Sequence, residues 1–233
     1  MGLHPTLLAN ARAIVFDAYG TLFDVHSAVA RHAAAVGPEA QRLSEIWRAK
    51  HLEYTWVLSL AGRYQPFWTL AERALDHALR RVPSADPGVK ERLLSAYRTL
   101  DAYPEVPAAL AALRAAGKRT AILSNGDPDM LGEAVASAGI ESLLDAVLSV
   151  AAVGVFKTDP RTYALALDAF GGEATEIVFV SSNRWDVAGA AAFGFVPVWV
   201  DRTGQPDEYP DLPPLAVVRD LAALIGNQPS PAR

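Results

Sequence analysis

Apolar residues change their spacing along this chain, and the changes divide it. Near the N-terminus Ala13-Ile14-Val15-Phe16 is an unbroken run that ends on Asp17, after which Gly20 and Thr21 turn the chain. Four successive apolar side chains closed by a turn signal describe a strand covered on both faces, as in a parallel sheet. Between residues 23 and 103 no such run recurs. Apolar positions there repeat every three or four residues over 25–36, 40–60, 67–81 and 87–100, with breaks at Gly37-Pro38, at Gly62 and from Pro83 to Pro87. That is helical periodicity punctuated by helix breakers. From Val106 onward helices and strands alternate. Helices are expected from 106 to 116, 128–138, 160–170 and 187–193, and strands at 120–123, 146–150, 177–180 and 196–200. Strands separated by helices of this length form βαβ units and a parallel sheet. The expected fold is therefore α/β, with an all-helical insertion at 23–103 in a core made of 1–22 and 104–226. The tail 227–233, rich in Pro and polar residues, is expected to be disordered.

Each expected strand ends on polar residues. Ser124-Asn125-Gly126 follow Leu123, Lys157 comes a few residues after Val150, and Ser181-Ser182-Asn183-Arg184-Trp185-Asp186 follow Val180. Parallel strands share one direction, so these clusters should meet Asp17 along one edge of the sheet, where open α/β folds bind ligands. Any one of them alone reads more readily as a helix N-cap than as a site, since Ser and Asn are preferred caps. Their recurrence after successive strands is what points to a site.

Composition narrows the chemistry. The 233 residues are 51% apolar and 20% charged, enough for a full core. A net charge of −5 without basic clusters argues against nucleic acid or an anionic membrane as partner. With no cysteine, disulfides, thiolate nucleophiles and cysteine–zinc sites are excluded. Met1-Gly2-Leu3-His4-Pro5 lacks the basic start of a signal peptide, and no apolar run reaches the roughly 18–20 residues of a membrane span. A cytoplasmic location is expected. All five histidines lie at the N-terminus or in the helical insertion, which disfavours a histidine base.

Asp17-x-x-x-Thr21, then Ser124, then Lys157, then a motif closing on Asp186 resemble, in this order, the haloacid dehalogenase superfamily over nearly the whole chain. The (S)-2-haloacid dehalogenase branch is the nearer likeness. The resemblance implies a Rossmann-like parallel sheet core with a helical cap domain inserted after the first strand. Phosphatases of this superfamily carry Asp-x-Asp and two further acids that hold Mg²⁺. Here Tyr19 takes the second position, and Ser181-Ser182-Asn183 precede a single acid, Asp186. Magnesium seeks several oxygen ligands, so no metal and no cofactor are expected, and phosphatase chemistry is disfavoured.

The resemblance implies instead that Asp17 attacks the carbon bearing a halogen, with inversion, and that water cleaves the resulting ester to a 2-hydroxy acid. A departing halide needs a cation or hydrogen-bond donors rather than an acid. Arg48, in Trp47-Arg48-Ala49-Lys50-His51-Leu52, is the implied cation, with Asn125 assisting. Ala18, Tyr19, Leu52, Phe67 and Trp185 would surround the substrate. Ser124 with nearby backbone, and Lys157, would hold its carboxylate, and Lys157 would favour the ionised form of Asp17. Thr21 would orient Asp17, and Tyr163 would join the network. Asn183 and Asp186, supported by Ser181, would position and activate water. The implied partners are a small 2-haloacid and halide ion, and the implied assembly is a homodimer. Ala49 and Asp127 stand where relatives often carry other side chains. Open alternatives are ring opening of azetidine-2-carboxylate by the same ester route, a phosphatase, and a non-catalytic binding protein.

Overall fold

The computed structural model describes residue 8 and residues 10–225; the expected tail 227–233 and the N-terminal pentapeptide lie outside them. Among the described residues six strands form one sheet: β1 (Ala13–Phe16), β2 (Arg119–Ser124), β3 (Ala146–Ser149), β4 (Ile177–Ser181), β5 (Val196–Val200) and β6 (Ala216–Val218). Their order is β3-β2-β1-β4-β5-β6, with every pair parallel. β1 lies inside the sheet with all four side chains buried, which is why its sequence is an unbroken apolar run. Its alternate residues serve two cores. Ile14 and Phe16 join a cluster that continues into the helical segment, while Ala13 and Val15 pack with Tyr163, Ala166 and Phe170 on the other face.

The helices are α1 (Ser27–Arg31), α2 (Ala33–Val36), α3 (Ala40–Leu60), α4 (Phe67–Arg81), α5 (Lys90–Arg98), α6 (Val106–Ala115), α7 (Pro128–Ser137), α8 (Pro160–Phe170) and α9 (Arg184–Phe193). The first five lie between β1 and α6; the rest are crossovers of the sheet. Trp47 Nε1 donates to the Ala71 carbonyl at 2.9 Å, tying α3 to α4. Among the described residues no helix is long and apolar enough to cross a membrane.

Four details differ from the periodicity. The single helix expected at 25–36 is two, because the chain tightens to i→i−3 bonds at His32 and Ala35. The helix expected at 87–100 begins as the 3₁₀ turn Pro87–Val89 and ends at Arg98. α9 starts at Arg184 rather than 187, since the Asp186 and Val187 amides already bond the Asn183 carbonyl. β6 was not expected at all: it is a three-residue edge strand after Pro213-Pro214 with Val217 facing solvent, so it lacks the signature of a buried run.

Candidate active site

Asp17 follows β1 directly, and its amide extends the ladder to the Val180 carbonyl at 2.9 Å. Phe16 is level with Ile122 on one side and Val180 on the other, so Ser124 and Ser181 arrive at the same edge. The next residues fold into a tight loop in which the Ala18 carbonyl accepts from the amides of Thr21, Leu22 and Phe23. Gly20 sits there at φ +98°, and a Cβ would come to 3.3 Å of Ser182 Oγ, so both conformation and space call for glycine. The Ser182 amide donates to Thr21 Oγ1 at 2.8 Å. With its lone pair so engaged, the Thr21 hydroxyl points its proton at Asp17 Oδ2, 3.0 Å away. Asn183 Nδ2 donates to the same oxygen at 2.8 Å, and Ser181 Oγ lies at 3.5 Å.

The other oxygen, Oδ1, accepts from Lys157 Nζ at 3.1 Å. That ammonium also donates to Asp186 Oδ2 at 2.8 Å, and Tyr163 donates its hydroxyl proton to Asp186 Oδ1 at 2.8 Å. Lys157 and Asp186 are fully buried and Asp17 is 5% exposed. An isolated ammonium would be costly here. Burial pulls the Lys157 pKa down, but the charges of Asp17 and Asp186 overcome it and hold the ammonium above its ordinary range. Asp186 moves the other way from an ordinary carboxyl. Burial raises it most, and repulsion from Asp17 adds to that; Lys157 and Tyr163 pull it back, leaving it at about 6. Among the described residues no group of three or more His, Asp or Glu is arranged to hold a metal ion.

The opposite wall comes from the helical segment. Arg48, on α3, donates through Nη2 to the Tyr19 carbonyl at 3.0 Å and to Asn183 Oδ1 at 3.2 Å. Asn183 thus takes a bond from Arg48 on its oxygen and gives one to Asp17 from its nitrogen, which fixes the orientation of its amide. Around this bridge Tyr19, Leu52, Phe67, Ser124, Asn125 and Trp185 close a chamber. Its free volume is about 10 Å³, room for one water. The Tyr19 ring stacks on Tyr97, parallel within 1° at 5.8 Å. Gly126 lets it do so, since a Cβ there would meet the ring at 2.7 Å. Trp185 also walls a larger outer cleft of about 580 Å³, where Trp56 meets it edge-on at 5.6 Å.

Residues 11–194 match the family model of the haloacid dehalogenase-like hydrolases. The chain belongs to this family. It is 45% identical to (S)-2-haloacid dehalogenase 4A of Burkholderia cepacia, over 94% of this chain and 95% of that one. It is also 45% identical to (S)-2-haloacid dehalogenase 1 of Pseudomonas sp. strain CBS-3, over 91% and 94%. The solved L-2-haloacid dehalogenase of Xanthobacter autotrophicus with chloropropionic acid covalently bound superimposes at a TM-score of 0.82, with 38% identity over 93% of this chain and 97% of that one. Within the haloacid dehalogenase-like hydrolases the chain sits in the (S)-2-haloacid dehalogenase branch.

In this family member the residues singled out by sequence converge, but at different depths. Asp17, Tyr19, Arg48, Leu52, Phe67, Ser124, Asn125, Asn183 and Trp185 line the chamber. Thr21, Ser181, Lys157, Asp186 and Tyr163 stand behind Asp17: the first three reach it directly, Asp186 through Lys157, and Tyr163 through Asp186. Ala18 is buried, and its carbonyl organises the turn. Asn125 has a contact that was not foreseen: its Oδ1 accepts from the Lys157 amide at 3.0 Å. Four participants were missed. Ser182 fixes Thr21, Tyr97 backs Tyr19, Asp127 binds the start of α4, and His51 binds the Phe67 carbonyl. Gly126-Asp127-Pro128 reads in sequence as the cap of α7, which hid the partner of Asp127 sixty residues away.

Proposed function

We propose that this chain hydrolyses short (S)-2-haloalkanoic acids to (R)-2-hydroxy acids through an ester on Asp17, without a metal. An Asp17 carboxylate oxygen attacks C2 from the side opposite the halogen, and the carbon–halogen bond breaks with inversion. The halide leaves as the anion toward Arg48 and Asn125, so no proton is needed at Tyr19. Ser124 and neighbouring amides hold the substrate carboxylate; Lys157, expected to share that role, lies behind Asp17 with its ammonium bonded to Asp17 and Asp186, and does not line the chamber. Asp186 then takes a proton from water positioned with Asn183 and Ser181. The hydroxide attacks the ester carbonyl of Asp17 and expels the 2-hydroxy acid as its alkoxide, which is protonated; Asp17 is regenerated carrying one oxygen from water. Hydroxy acid, halide and one proton are released per turnover.

The observation that carries this reading is the Asn183 bridge, which sets a carboxylate and a guanidinium on one small chamber. The named activities of the relatives support it. We read residues 23–103 as a cap, because Arg48, Leu52 and Phe67 all reach the chamber from that segment. A cytoplasmic homodimer belongs to the same proposal. Trp56, Val57 and Leu60 support the pairing, being 38, 54 and 91% exposed on α3, and the solution mass tests it.

The test is halide release from fluoro-, chloro- and bromo-acids of both configurations, with and without EDTA. Release from the S forms that EDTA leaves untouched is expected, and Asp17→Asn should abolish it. No halide from any small haloacid would sink the proposal.

A further inference from the structure

We propose that Asp127 is a positioning residue for carbon–halogen cleavage: it ties the loop after β2 to the chamber wall on α4 and, through His51, to the helix that carries Arg48. The inference rests on the dehalogenase reading above and adds a residue to it.

Asp127 stands where α7 would be capped, yet its side chain makes no bond to that helix. The carboxylate turns the other way. Oδ1 accepts from the Phe67 amide at 3.1 Å and Oδ2 from the Trp68 amide at 2.8 Å, the first two residues of α4. The N-cap residue of α4 is Pro66, and no side chain of its own segment caps that helix. A helix start leaves its first amides unpaired and favours negative charge, so Asp127 is an N-cap supplied from a distant part of the chain.

The connection continues on the far side of Phe67. Its carbonyl accepts from His51 Nε2 at 3.1 Å, and the His51 and Phe67 rings lie 3.9 Å apart. Burial, with Arg48 second, holds His51 neutral, which leaves one ring nitrogen to donate and the other to face the Tyr97 hydroxyl at 3.5 Å. His51 follows Arg48 by one turn of α3, on the same side. At its other end the loop grips the nucleophile's surroundings, because Asn125 binds the Lys157 amide. A second tie between the two halves runs over Trp68: the Arg98 guanidinium lies 4.2 Å above that ring and reaches Glu133 at 2.7 Å. That pair is open to water and screened. Asp127, at 8% exposure, is the dry one.

The two chemical steps lean unequally on the two halves. Cleavage of the carbon–halogen bond needs Arg48 and the Phe67 wall, both beyond the tie, beside Asp17 and Asn125. Ester hydrolysis needs Asp186 and Lys157, which bond each other and not Arg48, with Asn183 shared between the halves. Releasing the tie therefore slows cleavage more than ester hydrolysis.

Rapid-quench single turnovers with (S)-2-chloropropionate separate the steps: chloride reports cleavage, and the mass of the Asp17 peptide reports ester decay. In Asp127→Ala, cleavage should slow by about tenfold or more while ester decay stays within about twofold. In Asp127→Asn, whose amide oxygen still accepts a bond, cleavage should return to within about threefold of the parent. Hydrogen exchange in peptides spanning residues 64–72 should accelerate at least about tenfold in the alanine variant only. Equal slowing of both steps, or unchanged cleavage in a folded Asp127→Ala protein, overturns the proposal. If the parent releases no halide, the dehalogenase reading fails and exchange alone decides the tie: unchanged exchange in Asp127→Ala removes it.

Discussion

Asp186 carries the sharpest consequence at the scale of single residues. It is the acid that would take the proton from water, yet burial and the neighbouring Asp17 charge lift it to about 6. Only the ionised form can accept a proton, and in the ester Asp17 no longer adds its repulsion, so ester hydrolysis should fall at acid pH with a midpoint below about 6. Tyr163 donates to that ionised form. Tyr163→Phe removes a bond that lowers the Asp186 pKa, so the acid limb should move to higher pH. Saturating turnover measured from pH 4 to 8 in both proteins checks this; an acid limb at the same pH in both contradicts it. Asp186 was readable in the sequence because it ends a polar cluster behind an apolar strand, as Asp17 and Ser124 do. The spacing could not reveal what each atom bonds. That Thr21 is locked by the Ser182 amide depends on a contact between residues 161 positions apart.

Among the elements, α3 and α4 were legible almost to the residue, because long amphipathic stretches between breakers leave little choice. The pieces that were not legible are short or belong to an edge: α1 and α2, divided at His32, and β6. What joins α3 to α4 was also hidden, since a histidine in a helix says nothing of its partner. His51 proves to be buried against Phe67 and held at about 3, chiefly by burial and then by Arg48. In the unfolded chain the same ring titrates near 6.5. Between those values the unfolded state binds the extra proton, so stability present above pH 6.5 is lost as pH falls. At pH 5.5 the loss from this one group is about 1.4 kcal/mol relative to pH 7.5. Asp186 acts in the opposite sense, because its folded pKa is raised, and it offsets part of that loss. His51→Gln keeps a donor for the Phe67 carbonyl but cannot titrate. Urea unfolding at pH 7.5 and 5.5 should show that the variant loses about 1 kcal/mol less than the parent on acidification. An identical loss in both would mean that His51 is charged or exposed in the native state.

For the molecule as a whole, alternation of helix and strand implied a parallel sheet, but not the order that puts β1 between β2 and β4. That order is what brings Asp17 between Ser124 and Ser181. Nor could the sequence show that the chamber is nearly shut while a cleft of about 580 Å³ lies outside it. Trp185 belongs to both spaces, and Trp56 of α3 meets its ring at 5.6 Å and 81°. An aromatic edge contact contributes about 0.5–1.5 kcal/mol. That is enough to bias the position of Trp185, though too little to seal it. Any substrate must widen a chamber with room for one water, and an acid with a longer alkyl tail must displace this partition further than a two-carbon acid. Trp56→Ala should therefore raise kcat/KM for (S)-2-chlorohexanoate relative to chloroacetate by about two- to tenfold. Chloroacetate itself should change little, because Trp56 lines the outer cleft and not the chamber. If both substrates gain or lose alike, Trp56 does not hold Trp185, and the limit on chain length lies deeper, at Leu52 and Phe67.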